Sequence, residues 1–217
     1  MEYIANAFNL ERGGYFMYMI LLTSIVGIGI IIERFIFLFF KYNINATAFM
    51  SQVQQLVMAN NIDRAIKLCN AAPSAALARV VKAGLTRANK GEIQIQNAIE
   101  EATLEVLPGI QKRTGALQAV ANIATLMGLL GTIVGMIRAF GALAHVSADK
   151  RQEALGANIS LAMNTTAFGL IVAIPCIAGF IVLSGMTKKI TDEIEQYSVK
   201  LENLLIARGK SGEEAAE

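Results

Sequence analysis

Three long apolar stretches constrain the fold of this chain more than any other feature of its sequence. They cover residues 15–40, 117–144 and 159–184, while Asp, Glu, Lys and Arg make up only 17% of the 217 residues. Soluble domains usually carry roughly 25% charged residues. About 20 mostly apolar residues are enough to cross the roughly 30 Å hydrocarbon core of a bilayer. Each stretch therefore predicts a membrane-spanning helix.

The distribution of basic residues predicts the orientation of these helices. Lys and Arg number nine in residues 41–116 and five in the tail 185–217, against one in the segment 1–14 and two in the loop 145–158. Cytoplasmic loops carry an excess of Lys and Arg, so the segment 1–14 and the loop 145–158 are predicted to be periplasmic. We expect an all-α membrane protein with three transmembrane helices, long cytoplasmic helical extensions, an outside N-terminus and a cytoplasmic C-terminus.

The predicted cytoplasmic segments show the periodicity of amphipathic helices. Apolar residues recur at intervals of three and four within residues 62–106 and again within residues 186–204. Proline has no amide hydrogen, and its ring clashes with the preceding helical turn. Pro108 and Gly109 are therefore expected to kink or interrupt the chain before the second span.

The composition argues against several classes of function. A net charge of +2 is too small to indicate a nucleic-acid partner. Cys69 and Cys176 lie in very different surroundings, so neither a disulfide nor a metal site is predicted. The sequence also shows no nucleophile–base pair and no phosphate-binding loop. We predict neither an enzyme nor a bound cofactor.

The second and third stretches each carry a face of small residues. In the second stretch, spacings of three and four connect Ala121, Thr125, Gly128, Thr132, Gly135 and Ala139. In the third stretch, the same spacings connect Asn158, Ala162, Thr166, Gly169, Ala173 and Cys176. The opposite faces carry large apolar residues. Each helix is therefore predicted to have one bulky apolar side and one small, mildly polar side.

Two interpretations of the small faces remain open. Small residues allow helices to pack closely in lipid, and a Thr hydroxyl can bond its own helix backbone. In the first interpretation the faces are therefore ordinary packing surfaces. Alternatively, both faces line a cavity that holds water or another helix, and Thr132 and Thr166 form hydrogen bonds along a path. Neither face contains Asp, Glu, Lys or His, the side chains that usually relay protons across membranes. A proton-conducting assembly would need a carboxylate from a partner helix.

Three segments carry signatures of a known family. Residues 124–136 read ATLMGLLGTIVGM, residues 165–175 read TTAFGLIVAIP, and Glu33 and Arg34 follow the first uninterrupted apolar run. These segments resemble the second-span signature, the third-span signature and the end of the first span in the MotA/TolQ/ExbB proton-channel family. The three predicted spans are similar to its ExbB/TolQ-like branch.

The resemblance implies a motor driven by the proton-motive force in the bacterial inner (cytoplasmic) membrane. In that family a pentamer surrounds two single-span helices of the ExbD/TolR type, each bringing a membrane Asp. Proton passage turns one part against the other, and a force transmitter similar to TonB or TolA carries the work to the envelope. By this resemblance the chain is the pore or housing subunit.

The resemblance also assigns residues. Thr132 and Thr166 match the family's pore threonines, and Thr125 and Thr165 are placed on the same proton path. Six small residues would pack around the partner helix: Gly128, Gly135, Ala139, Ala162, Gly169 and Ala173.

The sequence departs from the family pattern at several positions. Leu161 stands where many relatives have Glu, and Thr125 stands where Pro is usual. Three functions therefore stay open at this point: an ExbB/TolQ-type motor subunit, a gliding-motility motor subunit of the same family, and an oligomeric scaffold that conducts nothing. The transported ion, proton or sodium, is open in the same way.

Three charged residues lie near the predicted ends of the spans. Glu33 and Arg34 are interpreted as an interfacial anchor, with an ion gate or a partner contact as the alternative. Arg138 lies six residues from the outer end of its span. Its long side chain can reach the headgroups or meet an acidic group on a partner.

Overall fold

The computed structural model describes residues 15–42, 44–144 and 147–214. This part of the chain contains α-helices and no strand, which confirms the predicted all-α class. The helices are α1 (Tyr15–Ile36), α2 (Ala46–Met58), α3 (Ile62–Ala71), α4 (Ala76–Thr86), α5 (Glu92–Gln111), α6 (Thr114–Leu143) and α7 (Arg151–Glu214). A π-helical segment, Phe37–Tyr42, follows α1, and a short 3₁₀ turn, Ala148–Lys150, precedes α7.

In the part of the chain that the structure describes, three helical stretches are long and apolar enough to cross a membrane. They are Tyr15–Phe39, Glu92–Leu143 and Arg151–Gly209. The third contains the whole of its apolar stretch, and the first two contain all but the last residue of theirs. The prediction of three membrane-crossing helices is confirmed, and the chain is a multi-pass membrane protein. The orientation of the termini stays a prediction. The segment 1–14 and residues 145 and 146 of the expected loop lie outside the described residues.

The last helix begins earlier than the third apolar stretch. Helix α7 starts at Arg151, so residues 151–158 of the expected loop 145–158 are helical. Residues 152–155 are good helix formers, and Glu153 lies in the first turn, where a negative charge interacts favourably with the helix dipole.

The expected interruption before the second span lies at Arg113 rather than at Pro108. Pro108 is inside α5, which continues to Gln111. Lys112 is then extended (φ −51°, ψ 136°), and Arg113 adopts a left-handed conformation (φ 62°, ψ −9°) immediately before α6. Pro108 removes a single hydrogen bond and the helix continues past it, whereas a residue in the left-handed conformation cannot continue a right-handed helix.

The chain divides into two compact units, and the first contains residues up to Glu33 together with Arg113–Val182. Its described part comprises most of α1, all of α6 and the first half of α7. Large apolar side chains point outward along these helices, for example Leu22, Ile137 and Ile171, which are 67%, 66% and 63% exposed. The residues between the helices are mostly small, and this distribution is expected of a helix bundle in lipid.

The second unit contains residues Arg34–Lys112 and Leu183–Glu217. Its helices α2 to α5 and the C-terminal part of α7 surround an apolar core that includes Met50, Leu85, Ile110, Ile194 and Leu201. The helices between residues 62 and 106 occur where the sequence periodicity predicts them. The Tyr197 hydroxyl donates a hydrogen bond of 3.0 Å to Thr47 Oγ1, which connects α7 to α2.

Candidate functional site

The predicted small faces of α6 and α7 pack directly against each other. A methyl carbon added at Gly169 would lie 2.7 Å from the Ala124 carbonyl oxygen and 3.1 Å from the Gly128 Cα atom. One added at Gly128 would lie 3.2 Å from both the Thr165 carbonyl oxygen and the Thr166 Cα atom. The two helix backbones are therefore in contact at this level, and glycine is required on both sides.

The remaining predicted small residues extend this contact toward the C-terminal end of α6. A Cβ atom at Gly135 would come within 2.6 Å of the Ala162 Cβ atom, so these two positions face each other. Ala139, Ala162 and Ala173 are buried. Four of the six residues assigned to the small faces thus lie at the α6–α7 contact within one chain, and the other two, Ala139 and Ala173, are buried.

Thr132 and Thr166 are brought together across this contact. Their hydroxyl groups are hydrogen-bonded to each other, and either can be the donor. The Gly128 carbonyl oxygen lies 3.1 Å from Thr132 Oγ1 and 3.0 Å from Thr166 Oγ1. The Ala162 carbonyl oxygen lies 3.3 Å from Thr132 Oγ1. Two hydroxyls from different helices therefore share one backbone acceptor.

The two other predicted threonines have different surroundings. The Thr125 hydroxyl donates to the Ala121 carbonyl at 3.1 Å, within its own helix. Thr165 is buried, and its methyl group packs against Gly131 so closely that no side chain fits there. Of the four threonines placed on the proton path, Thr132 and Thr166 are hydrogen-bonded to each other across the α6–α7 contact.

Helix α1 covers one flank of the α6–α7 pair. A Cβ atom at Gly27 would lie 2.8 Å from Cys176 Sγ and 3.2 Å from a Val120 methyl carbon. Nearer its start, α1 approaches the pair through Phe16, whose Cβ atom lies near Gly131. Thr132 and Thr166 are only partly buried, because they lie on the flank that α1 does not cover. Gly27 was not identified from the sequence, because it does not belong to a long repeat of small residues like those of α6 and α7.

Glu33 and Arg34 both form hydrogen bonds next to the break between α5 and α6. Glu33 binds a residue just before α6, and Arg34 binds a residue near the end of α5. The Glu33 carboxylate accepts two hydrogen bonds from Arg113 Nη1, at 2.6 Å and 2.5 Å. The Arg34 guanidinium is buried and donates to the Gly109 carbonyl oxygen at 3.2 Å. That carbonyl is among the last four of α5, which have no partner within the helix. Neither Arg113 nor Gly109 was identified from the sequence as a partner of this pair.

Arg138 stacks on an aromatic ring at the start of α1. Its guanidinium carbon lies 5.5 Å from the centre of the Tyr15 ring, and its Nη2 atom donates to the Tyr15 hydroxyl at 3.3 Å. Both residues are exposed. Arg and Tyr side chains at this position are typical of a membrane–water interface, where an apolar body and a polar tip are both accommodated.

No group of three or more His, Cys, Asp or Glu side chains in the described residues is arranged to hold a metal ion. The second and third apolar stretches contain no carboxylate anywhere in their sequence. The chemistry available on the open flank is therefore that of neutral hydroxyl and backbone carbonyl groups.

Comparison with known proteins identifies what this arrangement is similar to. The sequence model of the MotA/TolQ/ExbB proton channel family matches residues 72–196, a range that includes the whole α6–α7 contact. A putative biopolymer transport protein, ExbB-like 3, from Synechocystis is 28% identical over 163 residues, or 75% of this chain and 77% of the relative.

Two further relatives match over shorter ranges. The biopolymer transport protein exbB1 from Vibrio cholerae is 38% identical over 68 residues, or 31% of this chain and 30% of its own length. A putative biopolymer transport protein, an ExbB homolog from Methanothermobacter thermautotrophicus, is 28% identical over 120 residues, or 55% of this chain and 41% of its own length. The chain thus spans about three quarters of the Synechocystis relative and less than half of these two.

Proposed function

Because the chain belongs to the MotA/TolQ/ExbB proton channel family, we propose that it is the pore-forming housing of an ion-driven motor in the bacterial inner membrane. In this proposal several copies, five by resemblance, surround single-span partner helices of the ExbD/TolR type. Proton flow through the assembly drives movement of one part against the other. A transmitter of the TonB or TolA type then delivers the work to the envelope.

The observation that carries this proposal is the Thr132–Thr166 pair on the flank of α6 and α7 that α1 leaves open. The pair lies within the range matched by the family and within two apolar stretches, residues 117–144 and 159–184, that lack any carboxylate. A partner helix that brings an Asp to this flank would find hydroxyl and carbonyl oxygens at one level. The housing would supply neutral polar groups, and the partner would supply the titrating group.

The energies involved are compatible with such a division of roles. One elementary charge that crosses 100 mV releases about 2.3 kcal/mol. An ionised Asp at the centre of a bilayer costs about 2.5–3.5 kcal/mol on insertion scales. Protonation removes most of that cost, so a partner Asp would move past apolar surface in its neutral form. The Thr132–Thr166 level would be a discrete place at which it gains or loses its proton.

The test is to replace each hydroxyl by a methyl group in the assembled complex. Thr132→Val and Thr166→Val are made in the full chain, which is co-produced with its single-span partner and reconstituted in liposomes with a pH-sensitive dye. Hydrogen bonds to charged groups contribute about 1.5–3 kcal/mol. Each substitution is therefore expected to slow proton flux by about 10- to 100-fold.

Thr23→Val is the matched control. The Thr23 hydroxyl lies on α1 and donates to the Met19 carbonyl of its own helix at 2.8 Å, so its loss should leave flux unchanged. Proton flux and envelope work that persist at wild-type level in both Thr132→Val and Thr166→Val would refute the assignment. Repeating the flux measurement with sodium in place of potassium in the buffer shows whether the complex carries protons or sodium ions.

A scaffold that conducts nothing is the second candidate. It is favoured by one observation: the Thr132 and Thr166 hydroxyls have acceptors within their own chain. A wild-type complex that assembles with its partner but carries no ion across a membrane under an imposed potential would support the scaffold.

A further inference from the structure

The surface of α6 that faces away from the helix contact is divided into two stripes of different chemistry. One stripe is entirely apolar and repeats at spacings of four and three, and its members Ile123, Leu126, Leu130, Ile133 and Ile137 are 46–66% exposed. The other stripe, at the same spacings, contains Gln118, Asn122, Thr125, Leu129, Thr132 and Met136. The first is the surface expected against lipid.

The second stripe changes character along its length. Its N-terminal half holds two amide side chains, Gln118 and Asn122, followed by the Thr125 hydroxyl. Both amides are exposed, and neither has a side-chain hydrogen bond to any described residue. Beyond Thr132, the stripe reaches the apolar side chain of Met136. The polar groups are thus concentrated between the start of α6 and the Thr132–Thr166 pair.

The depth of Asn122 makes its exposure significant. Helix α6 has 30 residues, and with its centre at the bilayer midplane Asn122 lies about 10 Å from that plane and Gln118 about 16 Å. The hydrocarbon extends about 15 Å to each side. Gln118 can therefore reach the headgroup region. Asn122 has a shorter side chain and lies inside the apolar layer.

An amide without a hydrogen-bond partner is unstable in hydrocarbon. Transfer of such a group from water to an alkane costs about 4–8 kcal/mol, far more than one helix position can contribute in apolar contact. Water or protein must therefore cover this stripe in the membrane. Since Gln118, Asn122 and Thr125 form one row leading to Thr132, water gives all of them partners at once.

We propose that Gln118 and Asn122 line a water-filled vestibule at the N-terminal end of α6, through which the transported ion reaches Thr132 and Thr166. This inference rests on the proposed function and adds to it the direction from which the pore is hydrated. The amides are neutral and offer both donors and acceptors. They hold a column of water without fixing a charge of either sign. Leu129, the one apolar member between Thr125 and Thr132, limits how far bulk water penetrates.

The experiment measures the water accessibility of single positions. Asn122→Cys and Gln118→Cys are made in the full chain and co-produced with the partner subunit. Open membrane fragments, accessible from both sides, are treated with a charged, membrane-impermeant methanethiosulfonate reagent. Ile123→Cys and Leu126→Cys, on the adjacent apolar stripe, are the matched controls. Mass spectrometry of the peptides separates each new thiol from the native Cys69 and Cys176, both of which are buried.

The reagent reacts with the thiolate form of cysteine. A hydrocarbon environment raises the pKa of a thiol, and each pKa unit of that rise lowers the fraction of thiolate tenfold. We therefore expect Asn122→Cys to react at least about tenfold faster than Leu126→Cys. Equal, slow rates at both positions would overturn the vestibule.

If Asn122→Cys does not assemble, the labelling rate of Gln118→Cys is compared with that of Ile123→Cys instead. Proton flux through complexes that carry Asn122→Ser or Asn122→Leu provides a second measurement. Flux that is lost with Leu and kept with Ser supports the vestibule, and equal flux in the two overturns it.

Failure of the vestibule and failure of the proposed function give different results. Slow labelling at both amide positions, together with flux that is lost in Thr132→Val, overturns the vestibule and leaves the motor. Fast labelling of Asn122→Cys, together with a wild-type complex that carries no ion, supports a water-lined groove and overturns the motor.

Discussion

Adding one methyl group at Gly169 should separate α6 from α7. The new carbon of Gly169→Ala would lie 2.7 Å from the Ala124 carbonyl oxygen, whereas non-bonded atoms pack best at about 3.5–4.0 Å. Both neighbouring atoms, the Ala124 oxygen and the Gly128 Cα atom, belong to a helix backbone and cannot rotate away as a side chain would. The helices must therefore separate by on the order of half an ångström or more.

The cost of this separation follows from the behaviour of overpacked cores. Inserting a methyl group into a well-packed interior destabilises a protein by about 1–3 kcal/mol, and the higher helix propensity of Ala returns at most about 1 kcal/mol. Gly185→Ala is the matched control. Gly185 lies in the same helix with no atom within 4 Å of its would-be Cβ, so it gains the propensity and meets no clash. Gly169→Ala should therefore be less stable than Gly185→Ala by about 1–3 kcal/mol.

A buried thiol provides the assay. The chain has no Trp, and membrane helices often keep their helical signal when they dissociate, so fluorescence and circular dichroism are poor reports of packing here. Cys176 is 3% exposed and packs against Gly27. Its rate of reaction with a maleimide, measured in mixed micelles of increasing SDS content, reports opening of the α1–α6–α7 contact. Gly169→Ala should raise the opening equilibrium about 5- to 150-fold over the control. Equal rates in the two variants would refute the direct backbone contact.

Three further predictions concern positions outside that contact. Glu33→Gln removes the partner of a left-handed Arg113 and should lower the free energy of unfolding by up to about 1 kcal/mol, the range for exposed ion pairs. In the Glu33→Gln background Arg113→Gly should restore the free energy of unfolding, since Gly adopts the left-handed conformation freely. A thermal-unfolding double-mutant cycle in which the two substitutions are simply additive would contradict the coupling between Glu33 and Arg113. Gly91 has φ 94° and ψ 162°, a region of backbone conformation that is essentially limited to glycine. Gly91→Ala should therefore lower the free energy of unfolding by about 1–3 kcal/mol, although no atom lies within 4 Å of the added carbon. Gly115 is equally unobstructed but helical, so Gly115→Ala should not lower it in the same thermal melts. Burial raises the pKa of the Cys69 thiol from 9.0 to about 11, so its thiolate fraction at pH 8 falls about 100-fold. Iodoacetamide should accordingly modify native Cys69 slowly at pH 8 and faster as the pH approaches 11, and rapid modification at pH 8 would show that this thiol is not buried.

Sequence patterns were sufficient to predict the helices and their small faces, because both depend on local periodicity. The repeats that contain Gly128 and Gly169 mark the side of each helix that tolerates close approach, and those two residues do meet. Thr132 and Thr166 were likewise chosen from spacing, and the structure brings their hydroxyls together. In each case one helical face was enough to identify the residue.

Contacts between distant segments could not be predicted in this way. In the sequence Arg113 is one of nine basic residues in the segment 41–116, and only its backbone conformation and its distance to Glu33 distinguish it from the others. Gly27 is not part of a long repeat of small residues like those of α6 and α7, yet Cys176 fills the space beside it. Pro108 was expected to kink or interrupt the chain, but α5 continues for three residues beyond it. The helical segment ends instead at Lys112 and the left-handed Arg113, a conformation that cannot continue a right-handed helix.

The Thr132–Thr166 pair has a consequence that concerns the direction of its hydrogen bonds. If Thr132 donates to Thr166, the Thr166 hydrogen is directed to the Gly128 carbonyl, and if Thr166 donates to Thr132, the Thr132 hydrogen is directed to the Gly128 or the Ala162 carbonyl. The two arrangements share the same two hydroxyl oxygens and differ in which way each O–H bond points. In either one, both hydrogens are engaged inside the chain. A carboxylate that approaches the pair can therefore accept a hydrogen bond only after one hydroxyl has turned away from its own acceptor, and this rotation about a C–O bond displaces no helix.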